Sequence, residues 1–146
     1  MSYLKVWIHL VWSTKNRKPL LSKEVRSILF PHIEKNAKEK GICVDFINGY
    51  IEHIHILISL NKEQTISRIV QLIKGESSYW VNQQKLTPER FGWQDQYFAV
   101  SISESGINRV REYIKSQEWH HKKKTFQQKY EEFMQKYRFK IISSIA

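Results

Sequence analysis

The chain holds a single cysteine, Cys43, which excludes an internal disulfide framework and any zinc site built on paired cysteines. A lone thiol suits a reducing compartment, so the cytoplasm is the expected location. Long apolar runs are also missing. The opening MSYLKVWIHLVW is apolar but short, has only Lys5 as a positive flank and shows no small-residue cleavage site. A signal peptide and a membrane span are therefore not expected, and a soluble, unprocessed protein with no membrane partner is. Acidic residues are the minority: 14 Asp and Glu stand against 24 Lys and Arg, a formal net charge of +10. That balance favours polyanionic partners, nucleic acid first. No internal repeat or low-complexity segment interrupts the chain. Its 146 residues, 41% hydrophobic and 13% aromatic, are enough for one core, and a single domain over 1–146 is expected.

Residues 3 to 13 alternate, with Leu4, Val6, Ile8, Leu10 and Trp12 on one face and Tyr3, Lys5, Trp7, His9, Val11 and Ser13 on the other. This is the pattern of a strand with one core face. A basic turn, TKNRKP, follows, and Ser22 with Glu24 begins a helix carrying Val25, Ile28, Leu29 and Ile33 and closing near Gly41. Pro31 in its middle argues for a break. ICVDFINGYIEHIHILISL reads as two strands joined either at Asn48-Gly49 or nearer Glu52. From Thr65, Ile66, Ile69, Val70, Ile73 and Trp80 recur at helical spacing, and QYFAVSIS is a fourth strand. A last helical region starts near Gly106, with a C-terminal helical tail at about 119–140 that carries HHKKK and the stripe Phe126, Tyr130, Phe133, Tyr137. Strand, helix, strand, strand, helix, strand is the split βαβ, ferredoxin-like order. It predicts an α+β fold: an antiparallel sheet with two helices on one face and the other face free.

His53 and His55 interrupt an otherwise apolar strand, on the face opposite Ile54, Ile56 and Ile58. Side chains two apart on a strand stand roughly 6.5 to 7 Å apart at the backbone and can converge on one ion. Two histidines lining a half-polar sheet surface would leave the same pattern. Known metal-hydrolase arrangements do not fit, because no Asp-His follows the pair, Leu57 stands where a third alternating histidine would be, and the chain is too short for a barrel of about 250 residues. A metal site would need a third ligand from elsewhere. In INRVREYIKSQEW, Ile107, Val110 and Ile114 form an apolar helical stripe, and Tyr113 and Gln117 fall one turn apart along its edge.

Together EHIHILI, LIKGESSYW and REYIKSQ resemble the single-tyrosine HUH transposases of the smallest bacterial insertion sequences, a family that includes the repeat-associated tyrosine transposases. HLVWSTKNRKPLL is similar to that family's opening strand and basic turn. His-x-His alone is unspecific, but Tyr-x-x-x-Gln about sixty residues later, across the same strand order, makes the likeness a specific one. It implies that His53 and His55 bind a divalent metal, Mg or Mn, that Gln117 is the third ligand, and that Tyr113, on the C-terminal helix, is the nucleophile. Glu52 departs from the family's usual Asp at that position but keeps the acid. Lys74 to Ser78, KGESS, fits the family's helix motif and has no assignable catalytic role.

The implied activity is cleavage and rejoining of single-stranded DNA at insertion-sequence ends that carry hairpins. A tyrosine hydroxyl attacking phosphorus stores the phosphodiester's energy in a phosphotyrosine, so no external energy source is needed. A tyrosine pKa of about 10 means that the hydroxyl needs help at neutral pH, which a cation on the phosphate oxygens supplies. Expected backbone contacts are Lys15, Arg17 and Lys18, with Arg109, Arg111, Lys115, Lys122, Lys123 and Lys124; Trp7 or Tyr3 is available for base stacking. The resemblance also implies a homodimer whose subunits share active sites. Two rivals remain: a non-catalytic nucleic-acid binder on the same sheet topology, and a water-using phosphodiesterase that would not need Tyr113.

Overall fold

The structure, a computed structural model, describes residues 2–116 together with Gln128 and Glu132. Gln117, the lysines at 122–124 and the aromatic stripe Phe126, Tyr130, Phe133, Tyr137 lie outside the described residues. So does the expected tail, apart from Gln128 and Glu132, which are helical and exposed.

Strands β1 (Trp7–Ser13), β2 (Cys43–Tyr50), β3 (His53–Ser59) and β4 (Phe98–Ile102) form one antiparallel sheet in the order β2-β3-β1-β4. Helices α1 (Lys23–Glu39) and α2 (Ile66–Gln84) are the crossovers, and α3 (Ile107–Lys115) follows β4. This is the α+β, ferredoxin-like split βαβ arrangement that the element order predicts. β1 begins at Trp7 rather than at residue 3, because Trp7 already pairs with the last residues of both neighbours, Ser59 and Ile102. Tyr3 and Leu4 run past the sheet and are exposed.

Alternation puts Ile8, Leu10 and Trp12 with Ile54, Ile56 and Ile58 on one face, against Val25, Leu29 and Ile33 of α1 and Ile69, Val70 and Ile73 of α2. Ser22 caps α1 by accepting from the Val25 N–H, and Thr65 caps α2 by accepting from Arg68 N–H. Pro31 does not break α1, which runs unbroken through it. Packing of Leu29, Phe30 and Ile33 on either side holds the helix across the one missing donor.

The β2–β3 hairpin turns at Ile51 and Glu52, the second of the two sequence alternatives. Asn48 and Gly49 lie inside the ladder, paired with His55 and Ile54. Gly49 is required there by close approach, since a Cβ would meet the His53 carbonyl oxygen at 2.3 Å. A register shift between Val44 and Phe46 then redirects β2: Val44 and Ile47 pack toward α1 and α2, whereas Phe46 packs toward α3.

The second sheet face is not free. Ile107, Val110 and Ile114 lay α3 on Trp7 and Leu57, with Phe46, Ile102 and Tyr113 around them. Each such aliphatic side chain contributes about 1.5 to 3 kcal/mol when fully buried. Element order alone describes the six-element frame and does not say where the seventh element docks. Among the described residues, no helix is long and apolar enough to cross a membrane.

Candidate active site at the histidine strand

Three groups hold α3 in place besides its apolar stripe. Arg111 donates in a fork to Asp45, Nε to Oδ2 at 2.7 Å and Nη2 to Oδ1 at 2.8 Å. Asp45 is the residue the β2 irregularity leaves out of the ladder, so the bulge supplies the acceptor. The hydrogen bond to Asp45 is the main cause that raises the Arg111 pKa above its ordinary value. At the other end, Asn48 Nδ2 donates to the Ile114 and Lys115 carbonyls at 2.9 and 3.2 Å, satisfying backbone acceptors of the last helical turn. Trp7 donates its indole N–H to Glu104 just before the helix.

This docking brings Tyr113 over the histidines. Its ring centroid lies 5.8 Å from that of His55, edge-on, and the His53 and His55 rings are 4.9 Å apart. Both imidazoles are almost fully covered, 2% and 4% exposed, so they do not line an open sheet surface. His53 Nδ1 donates to Glu52 Oε1 at 2.7 Å, which gives the acidic residue before the pair a specific job: it orients the ring. His55 Nδ1 is 2.9 Å from Nε2 of a third histidine, His9, and the two rings meet edge to edge through that contact, centroids 5.1 Å apart. His9 is fully buried on β1 and lies 6.4 Å from the Tyr113 ring. The alternation already placed His9 on the face of Trp7 and Val11, and the strand order sets β1 beside β3. Combining the two would have put a third histidine at this site.

Of the residues expected to act together, the structure gathers His53, His55 and Tyr113, and Gln117 lies just outside the described residues. Lys15 and Arg17 sit on a short 3-10 turn directly after β1, whose last residue Ser13 pairs with His53. The basic turn therefore shares an end of the sheet with the histidines. Thr14 ties the two, with its N–H bonded to the Glu52 carbonyl at 2.9 Å and its hydroxyl donating to the Lys18 carbonyl at 2.7 Å. Lys18 itself pairs with Glu89 at 2.9 Å. Arg109 and Lys115 are exposed on α3, whereas Arg111 is engaged by Asp45. Trp7 is buried beneath α3 and unavailable for stacking; Tyr3 is exposed. Among the described residues no three His, Cys, Asp or Glu side chains are grouped to hold a metal ion.

The KGESS segment of α2 acts on the loop before β4. Lys74 Nζ donates to the carbonyls of Gln94, Asp95 and Gln96 at 2.6, 3.1 and 3.0 Å, and Ser77 accepts from Trp93 Nε1 at 2.9 Å. That loop runs along the basic turn, through the Thr14–Trp93 bridge and the Lys15 N–H to Gly92 bond. Burial pulls the Lys74 ammonium down from 10.5 to about 8, with Asp95 opposing. An unfolded lysine keeps its proton to about 10.4, so between those values the unfolded chain binds more protons than the folded one. The Lys74 contribution to stability is therefore largest above that window and is lost as pH falls through about 8. Denaturant melts should show wild type gaining on Lys74→Met between pH 7 and pH 10, and a constant gap would contradict this.

The comparisons with known proteins come down on one side. The family model described as "Transposase IS200 like" matches residues 2–117. The chain belongs to the IS200-like transposase family. A curated relative, the ISDra2 transposase TnpA of Deinococcus radiodurans, is 29% identical over 114 residues, covering 75% of this transposase chain and 81% of the relative. Among solved structures, a Deinococcus radiodurans R1 protein assigned as a transposase superposes with a TM-score of 0.62 at 23% identity, over 80% of this chain and 93% of that one. A REP-associated tyrosine transposase bound to a REP hairpin superposes with a TM-score of 0.56 at 17% identity, over 80% and 69%. At those identities the two structures speak for the fold of this IS200-like transposase, and the family match speaks for DNA transposition as its activity.

Proposed function

We propose that this transposase cuts and rejoins single-stranded DNA at insertion-sequence ends, with Tyr113 as the nucleophile. The observation that carries the reading is the Tyr113 ring set 5.8 Å from His55, beside a histidine pair whose rings are individually oriented. In the cleavage step the Tyr113 Oη–P bond forms and the P–O3′ bond breaks. The phenolic proton is given up, and the departing 3′-oxygen gains one as a hydroxyl. The product is a 5′-phosphotyrosine, and a 3′-hydroxyl attacking it reverses the chemistry to join strands.

The donor set fits a divalent cation in part. Each imidazole has its Nδ1 engaged by an orienting partner, Glu52 or His9, which makes Nε2 the ligating atom in this reading. His53, His55 and the amide oxygen of Gln117 would hold the ion, and phosphate and water oxygens would complete an environment suited to Mg or Mn. When bound, such an ion polarises the scissile phosphate and eases departure of the 3′-oxygen.

The DNA strand is held by charge at the same end of the sheet. A cleft of about 950 Å³ opens there, lined by Lys15, Lys18, Arg90, Asn82 and Tyr79 among others. Tyr79 is 66% exposed, an aromatic face on which a base can stack. Arg17, Arg109 and Lys115 extend the basic surface, and recognition of a hairpin at the element end is part of this reading. Arg111 contributes by keeping α3 docked. Function in the cytoplasm accords with the lone thiol of Cys43.

The active unit in this reading is a homodimer. α3 is held by the Asp45–Arg111 fork, the Asn48 cap and three aliphatic side chains, and in this reading a second copy's α3 would take that place, so that the subunits share their sites. Light scattering at micromolar concentration should return twice the chain mass; a monomer mass would count against it. The catalytic reading is tested with single-stranded DNA bearing the element's own end and Mg or Mn. A protein–DNA species that survives boiling in detergent is expected. Cutting without an adduct would mean water as nucleophile, and binding without cutting would mean a pure binder.

A further inference from the structure

We propose that His9 is a positioning residue for His55, holding it as the Nδ1–H tautomer so that the Nε2 lone pair is presented for metal coordination. The inference rests on the reading of His55 as a ligand. A hydrogen bond between two imidazole nitrogens contains one proton, and the 2.9 Å contact joins His9 Nε2 to His55 Nδ1. If His9 donated, His55 Nδ1 would present its lone pair and a neutral His55 would carry its proton on Nε2, where it blocks a metal. If His9 accepts, neutral His9 carries its own proton on Nδ1, His55 is Nδ1–H and its Nε2 is a ligand. Coordination is compatible with the second state alone.

His53 meets the same requirement with a carboxylate, that of Glu52, whose Oε1 lies 2.7 Å from Nδ1 and accepts from an Nδ1–H. His9 does for His55 what Glu52 does for His53, without adding a second negative charge. Its own place is fixed by packing: it is fully buried in the middle of β1, and its ring plane lies within 26° of the His55 plane, as an in-plane hydrogen bond between the two needs. The register sets Val11 opposite His55 and His9 opposite Leu57, so the contact is a diagonal one across the β1–β3 pair.

The test uses the full chain without DNA. Long-range proton–nitrogen NMR on the metal-free protein should show His55 as Nδ1–H; finding Nε2–H there would overturn the proposal. Titration with Mn²⁺, read by the electron paramagnetic resonance of the free ion, then compares His9→Phe, His9→Gln and His55→Ala with wild type. His9→Phe, which keeps a ring but has no acceptor, should bind Mn²⁺ about 10- to 100-fold more weakly. His9→Gln, which restores a carbonyl acceptor, should recover most of that loss. Wild-type affinity in His9→Phe together with loss in His55→Ala would refute the role of His9 while keeping His55 as ligand. Wild-type affinity in both would refute the ligand reading and this inference with it. Should His9→Phe not fold, the wild-type spectrum decides.

Discussion

A chain carrying His53→Ala and His55→Ala should fail to cut element-end DNA, with a fall of roughly 10³-fold or more in rate, while still retarding hairpin DNA in a gel. His55 lies against Tyr113 of α3 and His53 against His55, both on β3, whereas the charges of the basic turn come from Lys15 and Arg17, so phosphate binding is expected to survive. Because the rings are buried, the double variant should also lose stability, by about 1 to 3 kcal/mol in a denaturant melt. Cutting at the wild-type rate in the presence of chelator would show that the histidines pack α3 and do nothing chemical.

Tyr113→Phe should have an equally large effect on chemistry and almost none on the fold. The substitution deletes one oxygen and keeps the ring that lies edge-on to His55 and His9. A packing role would therefore be preserved, and melts should differ by less than about 1 kcal/mol. As the attacking atom is gone, adduct formation should fall by roughly 10³-fold or more, with DNA binding unchanged. A water-using phosphodiesterase would keep its activity in the same variant.

Periodicity was sufficient for the sheet. The alternation of Ile54, Ile56 and Ile58 against His53 and His55, and the helical stripes from Ile66 and from Ile107, define elements whose partners are set by the ferredoxin-like order. Less legible were features that depend on how two elements meet. Nothing local says that α3 closes over the second face, because its stripe of Ile107, Val110 and Ile114 suits any apolar surface. The irregularity at Asp45 breaks the period by one residue, and that residue turns out to be the anchor for Arg111, which composition alone reads as a phosphate contact. Asn48-Gly49 imitates a hairpin turn, yet Gly49 is needed where the backbone passes 2.3 Å from a would-be Cβ, and Asn48 caps α3. His9 was visible by parity but 46 positions from His55, so only the pairing of β1 with β3 reveals its contact. Lys74 shows the same limit: its three carbonyl partners lie at 94 to 96, beyond any helical period.

The central claim is that Tyr113 becomes covalently joined to DNA. Protein incubated with its element-end single strand and Mg or Mn can be digested with protease and nuclease, and the DNA-linked peptide sequenced by mass spectrometry. The account predicts a nucleotide 5′-phosphate on the tyrosine of the peptide containing Arg111 to Lys115. A phosphotyrosine at Tyr97 or Tyr130, or cut DNA with no modified peptide, would contradict it.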